Sequence, residues 1–138
     1  MLKLAVNASV EAEEGSVQLK LDAAALTLDG EVITSCTIDS LQAPVEFDST
    51  GAITSDLAVT PKTKNQLQFD YNMVNLGVST MEWFQQTAFF CDYVTGKTAA
   101  DVAGIQVNAE QKTEDVDLKA GCTIAIGGFQ KLIAEAAG

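Results

Sequence analysis

The chain has 138 residues, a length that fits a single domain with one hydrophobic core. Hydrophobic residues make up 47% and charged residues 20%, a composition typical of a folded globular protein and not of a disordered chain. The 19 acidic residues outnumber the 8 basic ones, and the formal net charge of -11 argues against binding to nucleic acid or anionic lipid. No apolar run approaches the length that crosses a bilayer, so direct membrane insertion is not expected.

The chain contains no arginine and no histidine, and their absence restricts the reactions that it could catalyse. All the basic residues are lysines. Without histidine it lacks the Ser-His and Cys-His nucleophile pairs and the commonest zinc ligand. We therefore predict no catalytic residue and no metal site, and an enzyme with its own catalytic groups is disfavoured.

The cysteines predict a structural role. Cys36, Cys91 and Cys122 are far apart in the sequence, and each lies within an apolar run. This pattern is typical of small buried side chains and differs from the regular spacing of metal ligands or of a disulfide framework.

The first third of the chain alternates apolar and polar residues, as strands do. Residues 2–13 predict a half-buried strand. The apolar residues expected on its buried face are Leu2, Leu4, Val6 and Val10. Residues 17–28 predict a second strand whose apolar positions change parity, which indicates a bulge near Ala24-Ala25. Asp29-Gly30 predicts a hairpin turn into a third strand over 31–40. The residues expected to share its inner face are Val32, Cys36 and Ile38.

The middle of the chain predicts a change from strands to helices. Pro44 indicates that residues 45–47 form a short edge strand, because proline cannot donate to a central ladder. The polar stretch 56–63 then connects residues 1–55, mainly strands, to residues 63–138, mainly helices. It is too short and too ordinary in composition for a domain boundary, so residues 1–138 are predicted to form a single domain.

The second half carries helix signals. A short helix is predicted within 63–73. Residues 79–82 form a capping-box pattern and predict a longer helix that ends near Val94. Its expected inward face is Met81, Phe84, Ala88, Cys91 and Val94. Residues 98–101 form a second capping box, and Gly104 predicts the end of that helix. A last helix carries apolar residues at helical spacing, namely Phe129, Leu132, Ile133 and Ala136.

Glycines near two helix starts raise the question of a phosphate site. Gly127 and Gly128 precede the last helix, where free backbone N–H groups can bind a phosphate or a carboxylate. A flexible joint is the alternative, and both interpretations remain open. Gly96-Lys97-Thr98 resembles the end of a P-loop. However, Cys91 stands where that pattern needs a glycine, and a helix precedes it instead of a strand.

Two segments share a pattern of aspartate, two residues, a small residue, glycine, one residue and threonine. They are Asp92 to Thr98 and Asp117 to Thr123. The pattern resembles the flavin attachment motif of the FMN-binding domain family, in which a threonine hydroxyl carries FMN through a phosphoester bond made by a separate flavin transferase. In that family the motif lies near the C-terminus before a helix, as the second segment does. The resemblance therefore implies Thr123 as the attachment point.

The match departs from the family pattern at Ala120, Cys122 and Lys97. From Asp22 onward the chain is also similar to a group of uncharacterised exported proteins of anaerobic Gram-positive bacteria. That likeness implies an extracytoplasmic or cell-surface location. The chain shows no export signal of its own, which leaves a cytoplasmic location open. The segments that carry the likeness are 63–64, 70–73, 82–86, 93–98 and 117–138.

We expect an α+β fold in which an antiparallel sheet from the N-terminal half packs against C-terminal helices, as in FMN-binding domains. The resemblance implies a flavin-binding or flavin-derived extracytoplasmic module, with electron transfer through FMN. The alternative is a non-catalytic binding or structural module of the same fold that has lost flavin. The residues expected to bind flavin or another small anionic ligand are Thr123, Gly121, Asp117, Gly127, Gly128, Thr98, Trp83 and Tyr93.

Overall fold

The computed structural model describes all of residues 1–138 and contains a three-stranded antiparallel sheet. The strands lie in the order in which they occur in the chain: β1 Leu2–Glu13, β2 Ser16–Asp29 and β3 Val32–Glu46. The predicted hairpin between β2 and β3 is confirmed, but its turn residues are Gly30-Glu31, because Asp29 still pairs with Val32. Gly30 has a φ of +60°, the conformation that a glycine provides at the first position of a two-residue turn.

The predicted bulge lies elsewhere. β2 is regular through Ala24-Ala25, so the expectation of a bulge there is wrong. The register shifts between Thr27 and Leu28, where Thr34 of β3 has no partner. The extra residue turns Ile33 toward the helices in place of Val32, and Ile33 is fully buried whereas Val32 is exposed.

The two faces of the sheet differ in what covers them. On the inner face, which the helices cover, Ala5, Ala24 and Ile38 pair across the three strands and are buried. The predicted alternation of β1 is correct in period, but its even-numbered apolar side chains point away from this face and are exposed. We call the exposed side the outer apolar face. It consists of the even positions 2–12 of β1, the odd positions 17–25 of β2 and positions 41, 43 and 45 of β3, all of them Ala, Val or Leu.

The helices cover only part of the inner face. Beyond Ala5 and Ala24, toward the β1–β2 turn, the same side of the sheet carries polar residues such as Asn7, Glu11 and Lys20. Lys20 Nζ lies 2.6 Å from Glu11 Oε2, and both side chains are partly exposed. The far end of the sheet is therefore amphipathic, with its polar side on the helix side and its apolar side facing outward.

Helices dominate the rest of the chain. They are α1 Lys64–Leu67, α2 Trp83–Val94, α3 Ala99–Ala103, α4 Val116–Lys119 and α5 Gly127–Ala137, with a 3-10 turn at Gln68–Tyr71. The predicted α+β class, an antiparallel N-terminal sheet packed against C-terminal helices, is confirmed. Pro44 is in an edge strand, as predicted, but the separate short strand expected over 45–47 is not formed, because β3 continues through Pro44 to Glu46. None of the helices combines the length and apolar character needed to span a bilayer.

Helix α2 starts three to four residues later than the capping-box pattern predicted. Glu82 is the N-cap, and the Gln85 side chain accepts a hydrogen bond from its backbone N–H at 3.0 Å. The buried Glu82 carboxylate instead accepts hydrogen bonds from the backbone N–H groups of Met73 at 2.8 Å and Val74 at 3.1 Å. Because the Glu82 carboxylate binds these two N–H groups, it does not complete the predicted capping box with Ser79, and the helix does not begin there.

The buried face of α2 is also rotated from the expected one. Ala88 is exposed and Phe84 only partly buried. Cys91 and Val94 are buried as predicted, and the other buried side chains of the helix are Trp83, Gln86, Thr87 and Phe90. The predicted stripe of α5 is confirmed, since Phe129, Leu132, Ile133 and Ala136 are all buried. Phe129 packs edge-on against Trp83 at 6.2 Å and tilted against Phe90 at 5.4 Å, which joins the two helices in one core.

Candidate functional site

The segment from Asp115 to Thr123 runs along one side of α2. Asp115 lies beside Tyr93, Gly121 lies against Phe89, and Thr123 binds Gln86. The three α2 residues are separated by three and four positions, the spacing that places side chains on one helix face. The motif is therefore bound to α2 over two helical turns and is not a free loop.

Thr123 is held by a buried glutamine. Gln86 Oε1 accepts hydrogen bonds from the backbone N–H of Thr123 at 2.8 Å and from its hydroxyl at 3.1 Å. Gln86 Nε2 donates to Ser79 Oγ at 2.8 Å and to the Met81 carbonyl at 2.9 Å. Gln86 is fully buried, whereas Thr123 is exposed. The structure thus fixes the orientation of the hydroxyl of an exposed residue.

The motif glycines are in close contact with other parts of the protein. A Cβ at Gly121 would lie 2.2 to 2.5 Å from three ring atoms of Phe89, and one at Gly127 would lie 2.3 Å from Gln111 Oε1. Gly121 is required for packing on α2, and the Gln111 side chain covers Gly127. Only Gly128 has open space beside it, with nothing within 4 Å of a Cβ.

The first motif segment, Asp92 to Thr98, binds the backbone of β3. The Gly96 N–H donates to the Ile33 carbonyl at 2.7 Å, and the Ile33 N–H donates to the Lys97 carbonyl at 2.9 Å. The Thr98 hydroxyl donates to Asp101 Oδ2 at 2.8 Å and accepts from the Asp101 N–H at 3.1 Å, capping α3. The Thr98 hydroxyl therefore both donates and accepts a hydrogen bond within the fold, whereas the Thr123 hydroxyl only donates one.

The predicted aromatic residues lie at two different places. Trp83 is buried in the core, with Phe129 against its ring and Lys64 Nζ 5.0 Å from the ring centroid. Tyr93 is partly exposed, and Lys97 Nζ lies 4.6 Å from its ring centroid. The structure thus brings Thr123, Gly121 and the start of α5 into one continuous segment, with Asp117 in the adjoining α4, but it does not place Trp83 on the surface beside them.

The largest groove lies at the Tyr93 end of the segment. Its volume is about 760 Å³, and it is lined by Tyr93, Lys97, Ala100, Asp101, Gly104, Ile105, Gln106, Glu114 and Asp115. Burial and the nearby Asp115 and Asp117 carboxylates raise the pKa of Tyr93. The N–H of Leu118 and the Tyr93 hydroxyl lower the pKa of Asp115. With three carboxylates against one lysine, the groove suits a cationic or hydroxyl-rich ligand better than a phosphate.

The cysteines meet near the sheet and α2. Cys36 and Cys91 line one cavity of about 200 Å³, and contact between the two thiols raises the pKa of Cys36 and lowers that of Cys91. Burial raises the pKa of Cys122 to about 11. All three are free thiols, and no group of His, Cys, Asp or Glu side chains is arranged to hold a metal ion. Cys91 and Cys122 are buried as expected, while Cys36 is partly exposed.

Comparison of the whole chain with known proteins does not place it in a family. No protein-family model matches it. Curated proteins and solved structures give no match either. The likeness to FMN-binding domains therefore rests on the motif residues and stays a prediction.

Three residues of the site are not apparent from the sequence: Gln86, Phe89 and Gln111. Gln86 lies in a helix that the sequence indicates, yet a glutamine there suggests a solvent-facing position. Its partner Thr123 is 37 residues away, so no local pattern connects them. Gln111 has a φ of +62°, a conformation that no sequence signal at this position indicated.

Proposed function

We propose that this chain is a flavin-binding or flavin-derived module that works outside the cytoplasm, with Thr123 as the attachment point for FMN and electron transfer as its activity. The observation that supports this proposal is Thr123, an exposed residue whose hydroxyl is oriented by the buried Gln86 side chain. An acceptor hydroxyl for a separate transferase must be both accessible and fixed. Thr98, the corresponding residue of the first motif segment, is engaged in a helix cap.

The residues present fit the phosphate end of such a cofactor. Thr123 Oγ would carry the phosphoester bond, and the open first turn of α5 at Gly128 would face negative charge with its backbone N–H groups. Gly121 and Gly127 would not approach the phosphate, because Phe89 and Gln111 lie against them. Lys119, exposed in α4, is the base nearest to Thr123 in sequence.

The residues present fit the flavin ring less well than they fit the phosphate. Trp83 is part of the core and cannot stack on a ligand without leaving it. Phe89 is 40% exposed and covers Gly121, two residues before the attachment point. The largest groove does not include Thr123, so these residues would present a flavin ring at the surface and not enclose it.

The chain's own part in this mechanism is positioning. Gln86 Oε1 accepts the hydrogen bonds of both the Thr123 N–H and its hydroxyl, which orients Oγ and leaves its lone pairs available. No histidine or arginine exists to activate the hydroxyl, so the esterification requires the transferase. When bound, FMN supplies the electron-transfer chemistry, and the protein supplies attachment and orientation.

A second candidate is a binding module without flavin, and the acidic groove favours it. Asp101, Glu114 and Asp115 line the groove together with Tyr93, whose ring also contacts Lys97. Such a site would bind a small cationic or hydroxyl-rich molecule. Spermidine is a suitable probe. It should shift the amide resonances of the groove residues, and Asp115→Asn should weaken its binding.

The deciding experiment measures intact mass and visible absorption of the protein exported from cells that also produce a flavin transferase. A mass increase of one FMN less one water, with flavin absorbance that survives denaturation, is expected. Thr123→Ala should abolish the adduct, while the matched Thr98→Ala should retain it. An unmodified mass and a colourless sample contradict the flavin proposal and direct attention to the groove.

A further inference from the structure

The outer apolar face is large and uncovered. Its most exposed large side chains, Leu2, Leu4, Val6, Val10 and Leu19, are between 41% and 74% exposed, and its other two leucines are half-buried. Monomeric proteins rarely expose contiguous apolar patches beyond a few hundred Å². The exposure follows from strand geometry, because the four β1 residues have the parity opposite to buried Ala5 and Leu19 of β2 pairs with Val10.

The residues of the outer apolar face carry no charge, and Asp39, which pairs with Ala23, is the one charged residue of the three strands at its border. Every position of the outer apolar face is Ala, Val or Leu, whereas the opposite side of the same strands carries Glu11, Glu13 and Lys20. A strand with one polar and one apolar side normally buries the apolar side. Here the helices lie on the other side of the sheet, so an external partner must cover the apolar one.

We propose that a second copy of this chain covers the outer apolar face, and that the two sheets pack face to face about a two-fold axis. A twelve-residue strand is about 40 Å long, and three strands are about 14 Å wide. With its side-chain relief, a face of this size would bury on the order of 600–800 Å² per copy. That area reaches the range of stable protein interfaces, about 1,200–2,000 Å² in total.

The charge distribution favours a second copy over a lipid surface. The net charge of -11 repels anionic membranes, and no lysine lies on the outer apolar face to offset it. In a face-to-face pair the charged side chains of the inner faces point away from the contact, and Asp39, at the border of the outer apolar face, accepts hydrogen bonds from the backbone N–H groups of Ser40 and Asn65. Packed sheets are about 10 Å apart, so the charges of the two inner faces are separated by more than the screening length of about 8–10 Å at physiological salt.

An apolar depression extends the face at the β3 edge. Ala43 and Val45 of β3, with Leu57 and Val59 of the following segment, line a depression of about 340 Å³. Leu57 and Val59 are both exposed. This depression can receive projecting leucine or valine side chains of the other copy, as expected for a self-complementary interface.

The test is the molar mass of the protein by sedimentation equilibrium from about 1 to 100 µM, with far-UV circular dichroism to verify folding. The wild-type chain of 14.6 kDa should reach twice that mass. Val10→Lys places a charge on the outer apolar face and should raise the dissociation constant at least 100-fold. Asn7→Lys adds the same charge to the same strand on the opposite side, facing Asp22, and should leave the dimer intact.

Leu2→Lys is the second interface variant, because this side chain lies at the strand end, is highly exposed and cannot disturb the core. A wild-type protein that stays at 14.6 kDa throughout would overturn the proposal, as would a dimer that both Leu2→Lys and Val10→Lys leave intact. Monomeric protein that binds phosphatidylcholine vesicles through the same residues would assign the face to lipid instead.

Discussion

Replacing Gly121 by alanine tests whether this motif glycine is needed for packing against α2. The backbone of Gly121 is not in the left-handed region, so alanine introduces no backbone strain there. The added Cβ, however, would lie 2.2 to 2.5 Å from Phe89 Cδ2, Cγ and Cδ1. Because Cγ is among these atoms, the whole ring must rotate away and lose its contact with the segment.

The expected cost is that of an overpacked contact, about 1–3 kcal/mol. For a domain of this size each kcal/mol lowers Tm by roughly 3–5 °C, so Gly121→Ala should melt about 3–15 °C below wild type. Urea unfolding should give the same difference in free energy of unfolding, without a change in its denaturant dependence.

A double-mutant cycle isolates the contact. Phe89→Ala removes the ring, so adding Gly121→Ala to that variant should cost at least 1 kcal/mol less than in the wild type. Gly128→Ala is the matched control, since nothing lies within 4 Å of its Cβ position, and it should be neutral or stabilising by up to about 1 kcal/mol. Additivity of Gly121→Ala and Phe89→Ala within about 0.3 kcal/mol would refute the packing role of the glycine.

Four further substitutions or measurements probe the core and the site. Gln86→Ala removes a buried side chain with four hydrogen bonds. It should lower the free energy of unfolding, measured in urea, by about 2–4 kcal/mol. A loss below about 1 kcal/mol would contradict the role of Gln86 in holding Thr123. Phe129→Ala should cost about 3–5 kcal/mol in the same assay, because the ring packs between α2 and α5; an unchanged Tm would exclude this packing. The pKa of Asp115 is below its usual value of 3.8. The ionised carboxylate therefore stabilises the fold above that value, and this contribution is lost as pH falls through the lower folded-state pKa. Asp115→Asn keeps a capping side chain and should show a smaller fall in Tm between pH 5 and pH 2.5 than wild type. With a pKa of about 11, Cys122 should react with iodoacetamide at pH 8 roughly 100-fold more slowly than an ordinary thiol, and a rate that matches the unfolded chain would show that it is not buried.

Strand and helix periods were readable from the sequence, but the direction of burial was not. Leu2, Leu4 and Val6 alternate as a strand should, and β1 forms where they predict it. They point outward because the helices pack on the side of Ala5. Alternation defines two faces, and only tertiary packing decides which one is covered.

Local capping signals gave mixed results for a similar reason. Thr98 and Asp101 form the predicted capping box, because both side chains are free to serve it. The Ser79 signal did not begin a helix, because Glu82 binds the backbone of Met73 and Val74 instead. A distant backbone group can outcompete a local cap when burial removes water as the alternative partner.

The attachment segment could be found from sequence, but its support could not. The resemblance drew attention to Gly121 and Thr123, which are two residues apart in the chain. Gln86, which orients Thr123, belongs to another element, and its role appears only when α2 and the segment pack together. The contact of Phe89 with Gly121 likewise depends on tertiary structure.

The partial covering of the inner face gives the sheet two regions of different local stability. Near Ala5 and Ala24, α5 packs on the strands, and opening of their backbone amides requires disruption of the core. Toward Glu13 and Ser16, the hairpin is held by ladder hydrogen bonds, the hydrogen bond from the Phe47 N–H to the Gly15 carbonyl and the Lys20–Glu11 ion pair. Amide hydrogen exchange should therefore become faster along each strand toward this tip, at an opening free energy well below that of global unfolding. Each strand would then belong to two cooperative units, one closed by the helices and the other dependent on what lies against its outer side.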